Sequence, residues 1–160
     1  MVLEIKKNIF SSQKRGTDIS SKKALINTYN NNTATTGNQL LNYLNTFKNI
    51  KNKGTVISRE DIENQTLLKD GHFFIINLDD KYGPGTHWVA LIRKNNNLIY
   101  FDSYGIPAGK SVYKYIGKFN KNINFFYNNY RFQENINNIE KNKNSICGLF
   151  TVDFIESYLR

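Results

Sequence analysis

The chain has 160 residues, 39% of them apolar and 22% charged, with a formal net charge of +9. That length suits one ordinary domain, and 11 Phe with 10 Tyr supply enough large side chains for its core, so wholesale disorder is excluded. One Cys excludes an internal disulfide framework, and with only two His a structural zinc site is not expected.

Residues 1–38 are polar and irregular, with a short helix predicted near Lys22–Tyr29. Leu40, Leu41, Leu44 and Phe47 recur at helical spacing and predict a helix over Gln39–Phe47, with Thr35 or Thr36 as its cap. Ser58 followed by Arg59, Glu60 and Asp61 reads as another helix start. After Asp70-Gly71 the pattern changes to short apolar runs, His72–Leu78, Trp88–Ile92 and Leu98–Phe101, which predict strands buried on both faces. Asp79–Thr86, with Gly83-Pro84-Gly85, is turn material, and Lys94–Asn97 is a hairpin loop. Ile123–Phe132 predicts a further strand. Cys147–Arg160 predicts a final amphipathic helix with Asp153, Glu156, Ser157 and Arg160 on its solvent face. The expected fold class is α+β in a single domain, with residues 1–70 mainly helix and loop and 71–160 carrying the sheet.

No apolar run approaches the roughly 20 residues that span a bilayer, and MVLEIKKNIF lacks the apolar stretch of a signal peptide. A soluble protein of a reducing compartment, neither secreted nor bound to a membrane, is expected. The 22 Lys and Arg against 13 Asp and Glu are mostly Lys and are dispersed along the chain. That predicts weak, non-specific, salt-sensitive contact with DNA rather than sequence reading. Abundant Asn, Lys, Ile, Tyr and Phe also follow from AT-rich coding, so part of the charge is compositional bias.

Cys147 is the first candidate for chemistry. It opens the last predicted helix, where the helix N-terminus favours the nucleophilic thiolate, and Gly148 leaves the backbone open to an incoming carbonyl. The alternative is a small buried hydrophobe. A thiol nucleophile needs a base, and His87 stands at the start of a predicted strand beside a glycine-rich loop. A two-residue hairpin at Lys94-Asn95 would set His87 directly opposite Asp102, at roughly 5 Å between Cβ atoms. A loop at Asn95-Asn96 would make them diagonal neighbours on one face, at roughly 7–8 Å. In either register the carboxylate can orient the imidazole, although Asp102 also reads as a turn cap ahead of Ser103-Tyr104-Gly105. An oxyanion donor could be Gln133 or one of the Asn residues at 135, 137, 138, 142 and 144.

The order His87, Asp102, Gln133, Cys147 resembles that of the adenain-like cysteine proteases, the group of the adenovirus maturation protease, the SUMO proteases and relatives in virophages and Polinton-type elements. The matching text is Gly85-Thr86-His87-Trp88-Val89, Phe101-Asp102-Ser103-Tyr104-Gly105, Phe132-Gln133 and Ser145-Ile146-Cys147-Gly148-Leu149-Phe150. Ile75-Ile76-Asn77-Leu78-Asp79 also looks like the viral members. Each motif alone is weak; their shared order makes the resemblance specific. It implies a central mixed or antiparallel sheet flanked by helices, with the nucleophile at a helix N-terminus. It further implies His87 as base, Asp102 as its orienter, Gln133 as oxyanion donor, Cys147 as nucleophile, and Trp88 in a narrow substrate channel, placed at the strand's edge. No metal or organic cofactor is implied. The implied activity is cleavage of capsid precursor proteins after small residues, Gly above all, in the virion or the infected cell's cytoplasm. Alternatives are an isopeptidase acting on SUMO or ubiquitin-like proteins, and a catalytically silent basic virion protein of the same fold. Gln133 and Cys147 are farther apart than the family's usual spacing, which an inserted loop over 134–144 would explain. The chain also stops where the helix of Cys147 would end, which leaves open a missing C-terminal extension.

Overall fold

The structure, a computed structural model, describes residues 2–3, 19–31, 35–78, 87–120, 122–132 and 146–160. In chain order its elements are β1 (Val2–Leu3), α1 (Ile19–Asn30), α2 (Gly37–Leu44), β2 (Gly54–Ser58), a 3-10 helix (Arg59–Asn64), β3 (Phe73–Asn77), β4 (Trp88–Lys94), β5 (Asn97–Phe101), α3 (Lys110–Ile116), β6 (Asn124–Asn128) and α4 (Ile146–Leu159).

The strands form one mixed sheet in the order β1-β6-β5-β4-β3-β2. β4 pairs antiparallel with both neighbours, and the other pairings are parallel. Because β4 runs against the rest, its amino end shares one edge of the sheet with the carboxyl ends of the other strands. That edge carries the site described below.

Side chains alternate across a strand, so each apolar run feeds two cores. Phe73, Ile75, Trp88, Ala90, Ile92, Ile99 and Phe101 pack on one face against α2 and α4. Phe74, Ile76, Val89, Leu91, Leu98 and Tyr100 pack on the other against Val112 and Tyr115 of α3 and against Ile62 and Leu68. Burying a side chain of this kind contributes about 1.5–3 kcal/mol, so the three central strands anchor the fold. The α+β class and helix-flanked central sheet expected from the resemblance are what the chain adopts.

Of the local expectations, the cap on α2 holds and several others meet a different outcome. Thr36 caps α2 in a reciprocal box: its hydroxyl accepts from Gln39 N–H at 3.1 Å and the Gln39 side chain accepts from Thr36 N–H at 2.9 Å. The helix start at Ser58 becomes only a 3-10 turn, and the Ser58 hydroxyl donates to Asp61 Oδ2 instead of capping the backbone. β2 and β1 lie before residue 71, so the sheet crosses the expected division at residue 70. β2 escapes a pattern reading because only Ile57 of its five residues is fully buried. α3, with Val112 and Tyr115 alone buried, escapes for the same reason. β6 ends at Asn128, short of the expected Phe132.

The largest correction concerns α4. Asp153 and Glu156, expected in solvent, are buried, because α2 closes over the helix face turned away from the sheet. Glu156 is held there by the Tyr43 hydroxyl, which donates to Oε2 at 2.9 Å, and by Arg160 at 3.0 Å from Oε1. A buried carboxylate survives only with such partners. Burial, then Glu156 itself, pushes the Tyr43 hydroxyl far above the usual tyrosine range, which keeps it a donor.

Candidate active site

β5 delivers Asp102 immediately past its last residue, where the chain turns through Ser103 and Tyr104. Gly105 makes the turn possible: its φ of +69° suits glycine, and an added Cβ would stand 3.2 Å from Tyr130 O. Its N–H closes the turn on Asp102 O at 2.8 Å. Asp102 is 1% exposed, and its Oδ1 accepts from Tyr104 N–H and from His87 Nε2, both at 2.9 Å. A carboxylate only accepts, so Nε2 carries the proton and Nδ1 is the ring nitrogen left for another partner.

His87 stands one residue before β4, and its carbonyl accepts from Leu78 N–H at 2.9 Å. The ladder pairs Lys94 with Asn97 and Ala90 with Phe101, so the hairpin loop is Asn95-Asn96, and Asn95 takes the left-handed φ of 55° that the turn requires. Of the two registers drawn from the sequence, this is the diagonal one. Extended past β4, it sets His87 across from Tyr104, and the two rings lie 4.9 Å apart at a tilt of 37°. The His87 side chain is 16% exposed and that of Asp102 2%, so the imidazole borders solvent while the carboxylate behind it does not.

Cys147 is the second residue of α4, where helix geometry leaves backbone N–H groups without intrahelical acceptors and the helix dipole favours negative charge. Its side chain interacts with the His87 ring and helps raise the imidazole pKa. Burial pushes the His87 pKa down, but hydrogen bonds to Asp102 and Cys147 and their negative charge outweigh it and carry the pKa up to about 9. The result is a base that holds its proton at neutral pH beside a sulfur. Thr151 fixes the first turn of α4 to the sheet, with its hydroxyl 2.7 Å from Cys147 O and 3.1 Å from Trp88 O. Gly148 is a close approach: a Cβ there would stand 2.3 Å from Thr35 Oγ1 and 3.1 Å from Leu40 Cδ2.

The structure therefore brings His87, Asp102 and Cys147 together. Gln133, the Asn-rich stretch 134–144 and the Gly83-Pro84-Gly85 turn lie outside the described residues. Trp88 departs from its expected place at the strand's edge. It is 5% exposed within the core on the α4 side, its indole N–H donates to Thr35 O at 3.0 Å, and Gly37 and Gly148 make room for its ring. Its residual surface lines a cleft described below.

Sequence reasoning missed Asn128. This last residue of β6 is 1% exposed; its Oδ1 accepts from Asp102 N–H at 2.9 Å, and its Nδ2 donates to Asp102 O at 2.7 Å and to Tyr130 O at 3.0 Å. It clamps the backbone that presents the carboxylate. In a chain so rich in Asn only the parallel pairing of β5 with β6 singles it out. Tyr104, pressed on the imidazole, was likewise readable only as part of a turn.

Among the described residues no group of three or more His, Cys, Asp or Glu is placed to hold a metal ion, and no helix is long and apolar enough to cross a membrane. A scan of protein-family models finds no match, and neither does a search of curated proteins. Among solved structures the fold is similar to the crystal structure of the ASFV pS273R protease, with a TM-score of 0.56 and 18% identity over 82% of this chain. The chain spans 60% of that protease's length. The shared feature is the fold.

Proposed function

We propose that the protein is a cysteine endopeptidase. One observation carries this reading: a cysteine in the first turn of α4, coupled electrostatically to an imidazole whose Nε2 is held by a buried, clamped carboxylate. The similarity of fold to a viral protease supports it.

In this reading Cys147 Sγ, its proton transferred to His87 Nδ1, attacks the scissile carbonyl carbon. The carbonyl oxygen becomes an oxyanion facing the Cys147 backbone N–H, and Gln133 is assigned as the second donor on the strength of the sequence resemblance. One such donor is typically worth about 2.7–4 kcal/mol of transition-state stabilisation. As the C–N bond breaks, His87 returns the proton to the leaving amine. Water then attacks the thioester, giving one proton to His87, and the C–S bond breaks to release the carboxylic acid and the Cys147 thiolate, which with the imidazolium restores the starting pair. Asp102 keeps Nε2 protonated throughout, so Nδ1 is always the nitrogen that exchanges the proton.

The substrates assigned are capsid precursor proteins of a virophage or related virus, cut after small residues. Weak DNA binding through dispersed Lys residues would hold the enzyme near those substrates. Mass spectrometry of candidate precursors incubated with the wild-type chain should show new termini after Gly, absent with Cys147→Ala. Intact precursors in both samples would remove the maturation role. A second reading, a catalytically silent module, draws on the 3% exposure of Cys147. It predicts no cleavage of any peptide and a thiol that resists alkylation.

A further inference from the structure

A cleft of about 520 Å³ opens on the same edge of the sheet as the catalytic residues, where the parallel strands β2 and β3 end. Its wall includes Ser58, Asp61, Asn64, Gln65, Asn77 and Trp88. Asn77 pairs with Trp88, the residue after His87, so the cleft reaches across two strands to the start of β4, one residue from the imidazole in sequence. Neighbouring strands lie roughly 4.8 Å apart, which puts the β2 end of the cleft about 10 Å from the start of β4. An extended peptide covers that in about three residues.

Asp61 is the ionisable group among the described lining residues. The Ser58 hydroxyl donates to its Oδ2 at 2.9 Å and Gln65 Nε2 donates to its backbone O at 3.1 Å, an arrangement that fixes the carboxylate in the wall. No Lys or Arg among the described residues is paired with it, in a chain whose net charge is +9. Trp88 and Val56 supply apolar surface along the way, and Asn64 and Gln65 line the Asp61 end. Apolar walls leading to a fixed carboxylate match a side chain with a methylene stem and a cationic head.

We infer that this cleft is a specificity subsite for a Lys or Arg side chain of the substrate about three residues from the scissile bond, with Asp61 as its counter-charge. The inference rests on the endopeptidase reading for its biological meaning, but peptide binding tests it separately. The Cys147→Ala chain is titrated, by fluorescence anisotropy, with a series of labelled ten-residue peptides centred on Gly. Each carries one Lys, norleucine or Glu at a position two to five residues to either side of the Gly. At one position Lys should bind about tenfold tighter than Glu, a preference erased by Asp61→Asn, which keeps the Ser58 hydrogen bond, and reversed by Asp61→Lys. Equal affinities for all three residues at every position, or a Lys preference that survives Asp61→Asn, would overturn the subsite, as would no peptide binding at all. The same peptides are then offered to the wild-type chain. Cleavage of none of them alongside an Asp61-dependent Lys preference would sink the endopeptidase reading and leave a basic-peptide site standing.

Discussion

The two histidines make a natural pair. His72 precedes β3 and His87 precedes β4, and because those strands are antiparallel the two residues mark opposite edges of the same sheet. At the hairpin edge, burial and then the positive charges of Lys69 and Lys53 push the His72 pKa down. At the other edge Asp102 and Cys147 overcome burial and push that of His87 up to about 9. Near the hairpin, cations meet backbone carbonyls: Arg93 donates to Leu68 O at 2.7 Å and to Asn95 O at 3.3 Å, and Lys94 to Tyr158 O at 2.9 Å. At the site polar groups are layered inward, Asp102 behind His87 and Asn128 behind Asp102. What a histidine can do is set by its edge of the sheet, not by its being histidine.

The largest effect expected is on Cys147. Cys147→Ala should reduce cleavage to background while barely moving the melting temperature, since one sulfur atom is removed. Turnover by the pure variant would remove the nucleophile assignment. Asp102→Asn should come next, lowering kcat by about 10²–10⁴ because the imidazole loses its charge partner and its fixed tautomer. Wild-type kcat in that variant would mean that the 2.9 Å contact is structural only.

Asn128→Ala should follow, with an intermediate loss. It strips the partner from the buried Asp102 N–H, at about 1–3 kcal/mol for a buried group left unsatisfied, and leaves the Asp102 carbonyl with the Gly105 N–H alone. As a positioning residue it should lower kcat more than it changes KM and should shift the pH profile, whereas destabilisation with an unchanged profile would mark it as structural.

The pH dependence sharpens the contrast between the edges. His87 binds its proton more tightly in the folded chain than its ordinary pKa of 6.5 would allow. Its contribution to stability is therefore complete below about 6.5 and is lost as pH rises through about 9. Activity should fall over the same alkaline limb, as the imidazolium that protonates the leaving amine disappears, and Asp102→Asn should move that limb to lower pH. The smallest effect belongs to the other edge: His72→Ala should leave kcat/KM within about twofold and stability within about 0.5 kcal/mol.

Much of this was legible in the sequence where burial is two-sided. The runs at Phe73, Trp88 and Leu98 announce themselves because both faces are apolar, and the Asn95-Asn96 loop was one of two registers that parity allowed for joining His87 to Asp102. Elements with one buried contact in five, such as β2, carry no such signal. The burial of Glu156 and the role of Asn128 depend on partners 113 and 26 residues away in the chain. No local pattern encodes those pairings. Trp88 illustrates the same limit, since its neighbours Thr35, Gly37 and Gly148 come from distant parts of the chain.

The central claim is that His87 activates Cys147, and the rate of Cys147 alkylation by iodoacetamide tests it most directly. Measured by intact-mass spectrometry from pH 5 to 9 in the wild-type chain and in His87→Ala, the rate should be high at neutral pH in the first and at least about tenfold lower in the second. Equal, slow alkylation in both would contradict the account, leaving Cys147 a buried thiol whose contact with His87 does no chemistry.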